Sequence, residues 1–387
     1  MLRLSIPGAA SAIAAVGAGL LAIGAGSAQA DEFRVQNLVS DGSVPAATID
    51  PNLINPWGIA SSPSGSPFWV SDNNAGVSTL YNTAGGKVPL TVAIPQWDGT
   101  PGGSPDGVVF NGSGGFNVSG GGKTGSSVFL FATEDGTIQG WAPSVNFTST
   151  EIAVNNFPGA VYKGLAIGST GGANFIYAAN FRGGDVEMYN SSFGLVGTFT
   201  DPNVAAGYAP FNVQDLGGTL YVTYALQNGA KHDDVAGAGN GYVDAFSLDG
   251  TFERRIASLG GQINSPWGLA IAPKGFGGFG GDLLVGNFGD GTISAFDPNN
   301  GTFEGKLLGL DGKPIVEGDL WGLIVGNGGS GGSADKVYFT AGVMDEAHGL
   351  FGSIGVPEPE AWTLMIVGLG LMGATLRGRR QLAAAAA

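Results

Sequence analysis

The feature that most constrains the fold of this 387-residue chain is a short phrase that recurs along it. Two copies are nearly identical, NPWGIA at residues 55–60 and SPWGLA at residues 265–270. Weaker copies lie at residues 106–109, 163–166, 211–214 and 320–323, of which the one at 211–214 is degenerate. The spacing is roughly 50 residues, a period that is typical of proteins built from repeated structural units.

Each copy is followed by a second apolar run and then by a third run in which apolar and polar residues alternate. FWV at 68–70 exemplifies the second run, and YVDAF at 242–246 the third. Such runs between Gly, Asn and Asp turns are typical of half-buried strands, and the body shows no helical period. Six units of three or four strands predict an all-β, six-bladed β-propeller, with a β-sandwich or β-solenoid as alternatives.

A lone strand pattern at residues 33–39 precedes the first copy. Because ring closure protects sheet edges, we expect this strand to join the last blade. Gly-rich stretches at residues 111–127, 274–281 and 326–333 are expected to be loops. The chain contains 71 glycines, which we expect to serve turns that need a positive φ.

Composition excludes several classes of site. The chain has no cysteine, which excludes disulfides, zinc–thiolate sites and thiol nucleophiles. Its net charge of −15 disfavours nucleic acid and anionic lipid as partners. The same charge would attract divalent cations such as Ca²⁺.

The first 30 residues have the composition of a secretory signal peptide. Arg3 precedes a stretch rich in Ala, Gly, Leu and Ile, and Ala28 and Ala30 form a small-x-small cleavage site before Asp31. We therefore expect export, with an uncleaved anchor as the alternative.

The C-terminal segment combines three elements in a fixed order. Val356, Pro357, Glu358 and Pro359 precede an apolar stretch at 363–376, which is short for a full membrane span. Arg377, Arg379 and Arg380 follow, as in a stop-transfer sequence. This order resembles the PEP-CTERM sorting signal of Gram-negative bacteria; an ordinary C-terminal anchor is the alternative. The resemblance implies transient inner-membrane anchoring, processing by an exosortase-type protease, and a final place in the envelope, on the outer surface or in the extracellular matrix.

The body resembles a group of secreted bacterial proteins of unassigned activity that often carry this tail, with NHL-like six-bladed propellers as fold relatives. The phrases that carry the resemblance lie at residues 231–237, 239–241, 265–270, 284–292 and 348–354. The resemblance implies a propeller fold and supplies no catalytic residues. The expected domains are a signal peptide (1–30), a propeller (31–355) and a sorting tail (356–387).

Several polar loop residues are candidates for one ligand or metal site. In a propeller, the loops between second and third strands share one rim with the starts of the first strands. That rim is expected to gather Asp72, Asn73 and Asn74 with a larger set of candidate ligands: His232, Asp233, Asp234, Asp345, Glu346 and His348. Carboxylates and imidazole suit Ca²⁺ or another divalent metal, whereas the competing interpretation is a solvated acidic loop.

Three tryptophans, Trp57, Trp267 and Trp321, each occupy the second position of a phrase copy. They are expected either to line a ligand-binding mouth by stacking or to wedge between blades with the indole N–H bonded to a carbonyl. Asn180 and Asn287, at the ends of second strands, are expected to cap turns, with metal binding as the alternative.

Two function classes remain. A non-catalytic propeller that binds an exopolysaccharide or envelope partner is favoured, because no nucleophile is evident. A metal-dependent hydrolase or lyase with its site at the propeller mouth is the alternative.

Overall fold

The computed structural model describes residues 32–357. The predicted signal peptide with its cleavage site, and the tail from residue 358 onward with its arginine cluster, lie outside the described residues. The described chain consists of β-strands and two short 3₁₀ helices, η1 (Asn73–Ala75) and η2 (Gly277–Phe279). Residues 32–357 contain no α-helix, and the prediction of an all-β fold is confirmed.

The strands are numbered in chain order, beginning with β1 (Glu32–Ser40) and β2 (Thr48–Ile49). The next three repeats contain the following strands: β3 (Pro56–Ala60), β4 (Phe68–Asp72), β5 (Val77–Tyr81), β6 (Lys87–Ala93), β7 (Pro105–Phe110), β8 (Asn117–Gly120), β9 (Lys123–Ser126), β10 (Phe129–Thr133), β11 (Thr137–Trp141), β12 (Glu151–Asn155), β13 (Tyr162–Thr170), β14 (Ala173–Asn180), β15 (Asp185–Asn190) and β16 (Leu195–Phe199). The last three repeats contain these: β17 (Tyr208–Asp215), β18 (Thr219–Leu226), β19 (Tyr242–Ser247), β20 (Phe252–Ala257), β21 (Pro266–Ile271), β22 (Leu283–Asn287), β23 (Ile293–Phe296), β24 (Phe303–Lys306), β25 (Leu308–Gly309), β26 (Leu320–Val325), β27 (Val337–Ala341) and β28 (Leu350–Gly355).

Six antiparallel sheets form the blades of a propeller. Blades 1 to 5 have the strand orders β3-β4-β5-β6, β7-β10-β11-β12, β13-β14-β15-β16, β17-β18-β19-β20 and β21-β22-β23-β24. Blade 6 has the order β26-β27-β28-β1, with β2 and β25 added in parallel beside β1. Because β1 pairs with β28, Arg34 opposite Gly355, the N-terminal strand closes the ring, and the predicted six-bladed architecture is confirmed.

The glycine of the repeated phrase is explained by contact between neighbouring blades. A Cβ on Gly58 would lie 2.2 Å from the carbonyl oxygen of Asp106, and one on Gly268 would lie 2.5 Å from that of Trp321. Gly107, Gly164 and Gly322 are equally crowded. In the degenerate copy Asn212 replaces glycine and its Nδ2 donates to the carbonyl of Trp267 (2.8 Å). These glycines therefore serve close packing of first strands around the axis rather than turns.

One predicted loop is wrong in part. Residues 111–127 were expected to lack regular structure, but β8 and β9 form a hairpin there. Its turn is Gly121 and Gly122, both with positive φ (55° and 76°), as a tight two-residue hairpin turn requires. The flanking residues carry almost no apolar alternation, which is why the pattern did not reveal the strands.

The axis has two distinct ends. The first strand of each blade runs from one end, which we call the entry end, to the other, which we call the exit end. Loops between second and third strands lie at the entry end, and loops between first and second strands lie at the exit end. All the candidate site residues therefore belong to the entry end or to the start of a first strand.

Candidate functional site

A layer of six residues surrounds the axis near the entry end. Each precedes the glycine or asparagine of a first strand: Trp57, Asp106, Lys163, Phe211, Trp267 and Trp321. Trp57 and Trp321 stack with ring centroids 3.6 Å apart, and Trp267 meets their edges at 6.3 and 5.7 Å. All three tryptophans are at least 96% buried, so the layer fills the axis.

The indole groups are bound differently within this layer. Trp267 Nε1 donates to the carbonyl of Lys163 (2.9 Å), and Trp321 Nε1 donates to Oδ1 of Asn55 (3.0 Å). Trp57 Nε1 has no hydrogen-bond partner among the residues that the structure describes. The tryptophans pack against each other across the axis. Trp267 also lines a cavity at the exit end, and Trp57 and Trp321 line one at the entry end.

That cavity opens at the entry end and has a volume of about 250 Å³. It is lined by Asn55, Trp57, Asn73, Asn74, Glu134, Lys163, His232, Asp233, Asp234, Phe288, Trp321, Asp345 and Glu346. The structure thus brings together most of the candidate residues from three loops and from the starts of two first strands. We call this space the axial cavity.

Lys163 is the central charge of the axial cavity. It is 2% exposed, and its Nζ donates to Oε1 of Glu134, lies 3.6 Å from Oδ1 of Asp233, and lies 4.8 Å from the ring centroid of Trp57. Burial opposes the charged form, but Glu134 and Asp233 outweigh it and raise the pKa of Lys163. The ammonium group therefore stays charged and neutralises part of the surrounding carboxylate charge.

The carboxyl groups around Lys163 differ in pKa. The hydrogen bond with His232, whose Nδ1 lies 2.7 Å from Oδ1, is the main reason that the pKa of Asp233 falls to about 2. Burial raises the pKa of Glu346 to about 7, although Asn55 Nδ2 donates to Glu346 Oε1 (3.2 Å) and opposes the rise. Burial also raises the pKa of Asp234.

Three side chains of the cavity could share a metal ion. One ligand atom from each of Glu134, His232 and Asp233 lies within 4.8 Å of the others. Two carboxylates and an imidazole suit a divalent cation. However, the Lys163 ammonium already contacts both carboxylates, and a divalent ion placed there would be repelled by it. The donor set fits a metal only if Lys163 moves away.

Not every candidate lies in the cavity. His348 Nδ1 lies 2.6 Å from Oδ2 of Asp41, which follows the ring-closing strand, so this histidine faces away from the axis. Asn180 Oδ1 accepts from the backbone N–H of Gly183 (2.9 Å), and Asn287 Oδ1 accepts from that of Asn264 (3.0 Å). Asn180 thus caps its own turn, as predicted. Asn287 instead binds the backbone of the loop before β21, and its Nδ2 donates to the hydroxyl of Thr292 (3.1 Å).

Sequence reasoning missed Lys163 and Glu134. The signal for Lys163 was present, because it occupies the position that holds tryptophan in three other copies of the phrase. A lysine side chain that points toward a packed axis needs an oppositely charged partner, because burying an unpaired charge is costly. Glu134 follows β10 in a three-residue turn, and nothing in its own sequence context distinguishes it.

The two ends of the axis differ in charge. The six entry-end loops contain seven carboxylates and two cations: Glu134, Asp135, Asp233, Asp234, Asp290, Asp345, Glu346, Arg182 and Lys231. The six loops between first and second strands, at the exit end, contain two carboxylates and three cations: Asp282, Asp335, Lys123, Lys274 and Lys336. The loops between third and fourth strands at the same end add Asp249 and Asp297. A second cavity at the exit end, of about 330 Å³, is lined mainly by glycine and apolar residues of the first strands.

The C-terminal tail begins at the exit end. Val356 is 40% exposed and, with Pro357, lies beside Arg34 and Lys336. In the described part of the chain, no helix has the length and apolar character needed to span a membrane. Residues 355–380 match the PEP-CTERM protein-sorting motif, which confirms the predicted sorting signal. The motif indicates export, processing by exosortase and association with the envelope of a Gram-negative bacterium.

Solved structures with a similar backbone fold are propellers whose sequence identity to this chain is low. Hydrazine synthase of Kuenenia stuttgartiensis is 14% identical, with a TM-score of 0.48, over 77% of each chain. The calcium-binding protein regucalcin of Agrobacterium tumefaciens is 13% identical, with a TM-score of 0.47, over 85% of this chain and 96% of its own. Sequence identities and TM-scores this low indicate nothing about the activity of this chain.

Proteins that are similar to this chain in amino-acid sequence come from a virus. Uncharacterized protein R648 of Acanthamoeba polyphaga mimivirus is 33% identical over 83% of this chain and 80% of its own length. Uncharacterized protein L690 of the same virus is 33% identical over 83% of this chain and 85% of its own length. The matched region is long enough to include most of the propeller. The chain therefore belongs to the same protein family as these two mimivirus proteins.

Proposed function

We propose that this protein is a non-catalytic binding propeller of the cell envelope, and that its axial cavity takes one sugar residue of an exopolysaccharide or envelope glycan. The signal peptide (1–30) would export it, residues 31–355 would bind the ligand, and the tail (356–387) would hold it in the membrane until exosortase acts. The outer surface and the extracellular matrix are the proposed destinations.

The observation that carries the proposal is the combination of polar walls with an aromatic floor in the axial cavity. Asn73, Asn74 and Glu346 present amide and carboxylate groups, while Trp57 and Trp321 form the floor. Sugar hydroxyls both donate and accept hydrogen bonds, so they fit such walls, and their C–H faces pack on aromatic rings. A volume of about 250 Å³ is small for a ligand site and suits one residue of a longer chain.

The charges of the cavity restrict the ligand further. Five carboxyl groups line it, against the single ammonium group of Lys163. An anionic ligand would be repelled, so a neutral glycan or one that carries amino groups is expected.

A glycan array tests this proposal directly. The chain ending at Pro357 is expected to bind neutral or amino-sugar glycans in preference to uronic-acid or sulfated ones. Glu346→Gln and Asn73→Ala should weaken that binding, whereas His348→Ala, outside the cavity, should not. Binding to no glycan, or equal binding by all variants, would refute the proposal.

A metal-dependent hydrolase or lyase is the second candidate, favoured by the convergence of Glu134, His232 and Asp233. If it is right, Ca²⁺, Mn²⁺ or Zn²⁺ should bind stoichiometrically and raise the melting temperature, because a ligand of the folded state stabilises it. His232→Ala should abolish that rise. An unchanged melting temperature with each metal and with a chelator would exclude this candidate.

A further inference from the structure

We propose that, while the tail holds the protein in the membrane, the propeller turns its exit end toward the lipid and its axial cavity away from it. This orientation rests on the anchoring proposed above. It extends that proposal by giving the direction in which the axial cavity opens. Three independent features support it: where the chain leaves the propeller, how short the connection to the tail is, and how charge divides between the two ends.

The first feature is the position of the chain ends. β28 is the third strand of blade 6, and it runs from Leu350 at the entry end to Gly355 at the exit end. Gly355 lies against the side chain of Lys336, which immediately precedes the second strand of that blade at the exit end. Arg34 pairs with Gly355, so the N-terminal strand also starts there. Both ends of the described chain therefore lie at the end of the propeller opposite the axial cavity.

The second feature is the length of the connection. Five residues, 358–362, separate the last described residue from the apolar stretch at 363–376. Even fully extended, five residues span at most about 18 Å. A domain of this size has a radius of gyration of about 20 Å. The distance from its centre to its surface therefore exceeds the length of the connection. The propeller cannot turn over on so short a tether, and the exit end stays near the membrane.

The third feature is charge. With the loops between third and fourth strands included, the exit end carries three lysines and four aspartates, Asp249 and Asp297 being the two added, and is nearly neutral. The loops between second and third strands alone give the entry end seven carboxylates and two cations. Anionic lipid headgroups repel the acidic end and tolerate the nearly neutral one. Electrostatics and tether geometry thus favour the same orientation.

The natural absence of cysteine allows a direct test with single reactive labels. Ser64→Cys places a thiol on the exposed β3–β4 loop at the exit end, and Val235→Cys places one on the β18–β19 loop at the entry end, where Val235 is 41% exposed. Each full-length variant is labelled with a fluorescent donor and reconstituted in vesicles that contain a short-range headgroup acceptor. The same variants ending at Pro357 serve as controls and should give no transfer.

We expect the transfer efficiency from position 64 to exceed that from position 235 by at least twofold. Equal efficiencies, or a higher efficiency from position 235, would overturn the orientation while leaving the anchoring intact. No transfer from either full-length variant would refute the anchoring and the orientation together, without bearing on glycan binding by the released chain.

Discussion

The two ends of the propeller axis are built from the same six strands and yet have opposite character. At the entry end, the residue before each glycine or asparagine is large or charged, and the loops above add carboxylates around Lys163. At the exit end, the same strands present glycine and apolar residues to a cavity with few charges around it. A repeat fixes the backbone at both ends, so the difference comes from side chains that depart from the repeat.

The largest expected effect tests whether Lys163 holds the entry end together. Lys163→Met leaves Glu134, whose side chain is only 13% exposed, without its counter-charge. It should lower the free energy of unfolding by about 3 kcal/mol, measured by urea denaturation. Lys274→Met, at an exposed exit-end lysine, should change it by less than about 0.5 kcal/mol.

A double variant separates charge from packing. Lys163→Met combined with Glu134→Gln should recover much of the lost stability, because no buried charge is then left unpaired. If the double variant is as unstable as the single one, the ion pair is not what stabilises this end.

The next effect concerns the backbone that both ends share. Gly268→Ala places a methyl group 2.5 Å from the carbonyl oxygen of Trp321 and should cost about 3 kcal/mol of unfolding free energy. Gly275→Ala, in the exit-end loop of the same blade, meets no atom within 4 Å and should be nearly neutral. Equal effects would contradict the role of glycine in blade-to-blade packing.

The smallest stability effect is a pH dependence confined to the entry end. Burial raises the pKa of Glu346 from 4.5 to about 7, so the folded state binds this proton more tightly than the unfolded state does. The resulting stability is fully present below pH 4.5 and is lost as the pH rises through 7. A shift of this size corresponds to at most about 3 kcal/mol. Because the carboxyl group is only partly buried, screening by solvent reduces this, and over that range the wild type should lose about 2 kcal/mol more than Glu346→Gln.

Urea denaturation at a series of pH values checks this difference. Glu317, whose pKa burial also raises to about 7, titrates in both proteins and cancels in the comparison. Parallel pH profiles for the two proteins would show that Glu346 is not the group responsible.

The fold could be predicted from the sequence because the repeated phrase occurs six times, once in each blade. The phrase around Trp57 and Trp267 located the first strands, and the lone strand at 33–39 indicated how the ring closes. The β8–β9 hairpin could not be predicted, since its short polar strands carry no hydrophobic alternation.

The candidate site was only partly predictable, because loop residues meet through the fold and not through the sequence. His232, Asp233, Asp345 and Glu346 were expected at one rim and do line one cavity. His348 was expected with them, but it lies beside Asp41, a residue far away in the chain. Glu134, in blade 2, contacts Lys163 at the start of the neighbouring blade 3, and no local sequence pattern shows that contact.

The most direct test of the difference between the two ends is calorimetric titration with the glycan that binds best on the array. Asn73→Ala and Glu346→Gln alter the axial cavity, and Gln214→Ala alters the exit-end cavity. Loss of a buried hydrogen bond should weaken binding about tenfold in each axial variant. The exit-end variant should bind as the wild type does. Weaker binding by Gln214→Ala alone, or unchanged binding by all three, would contradict the assignment of the site to the entry end.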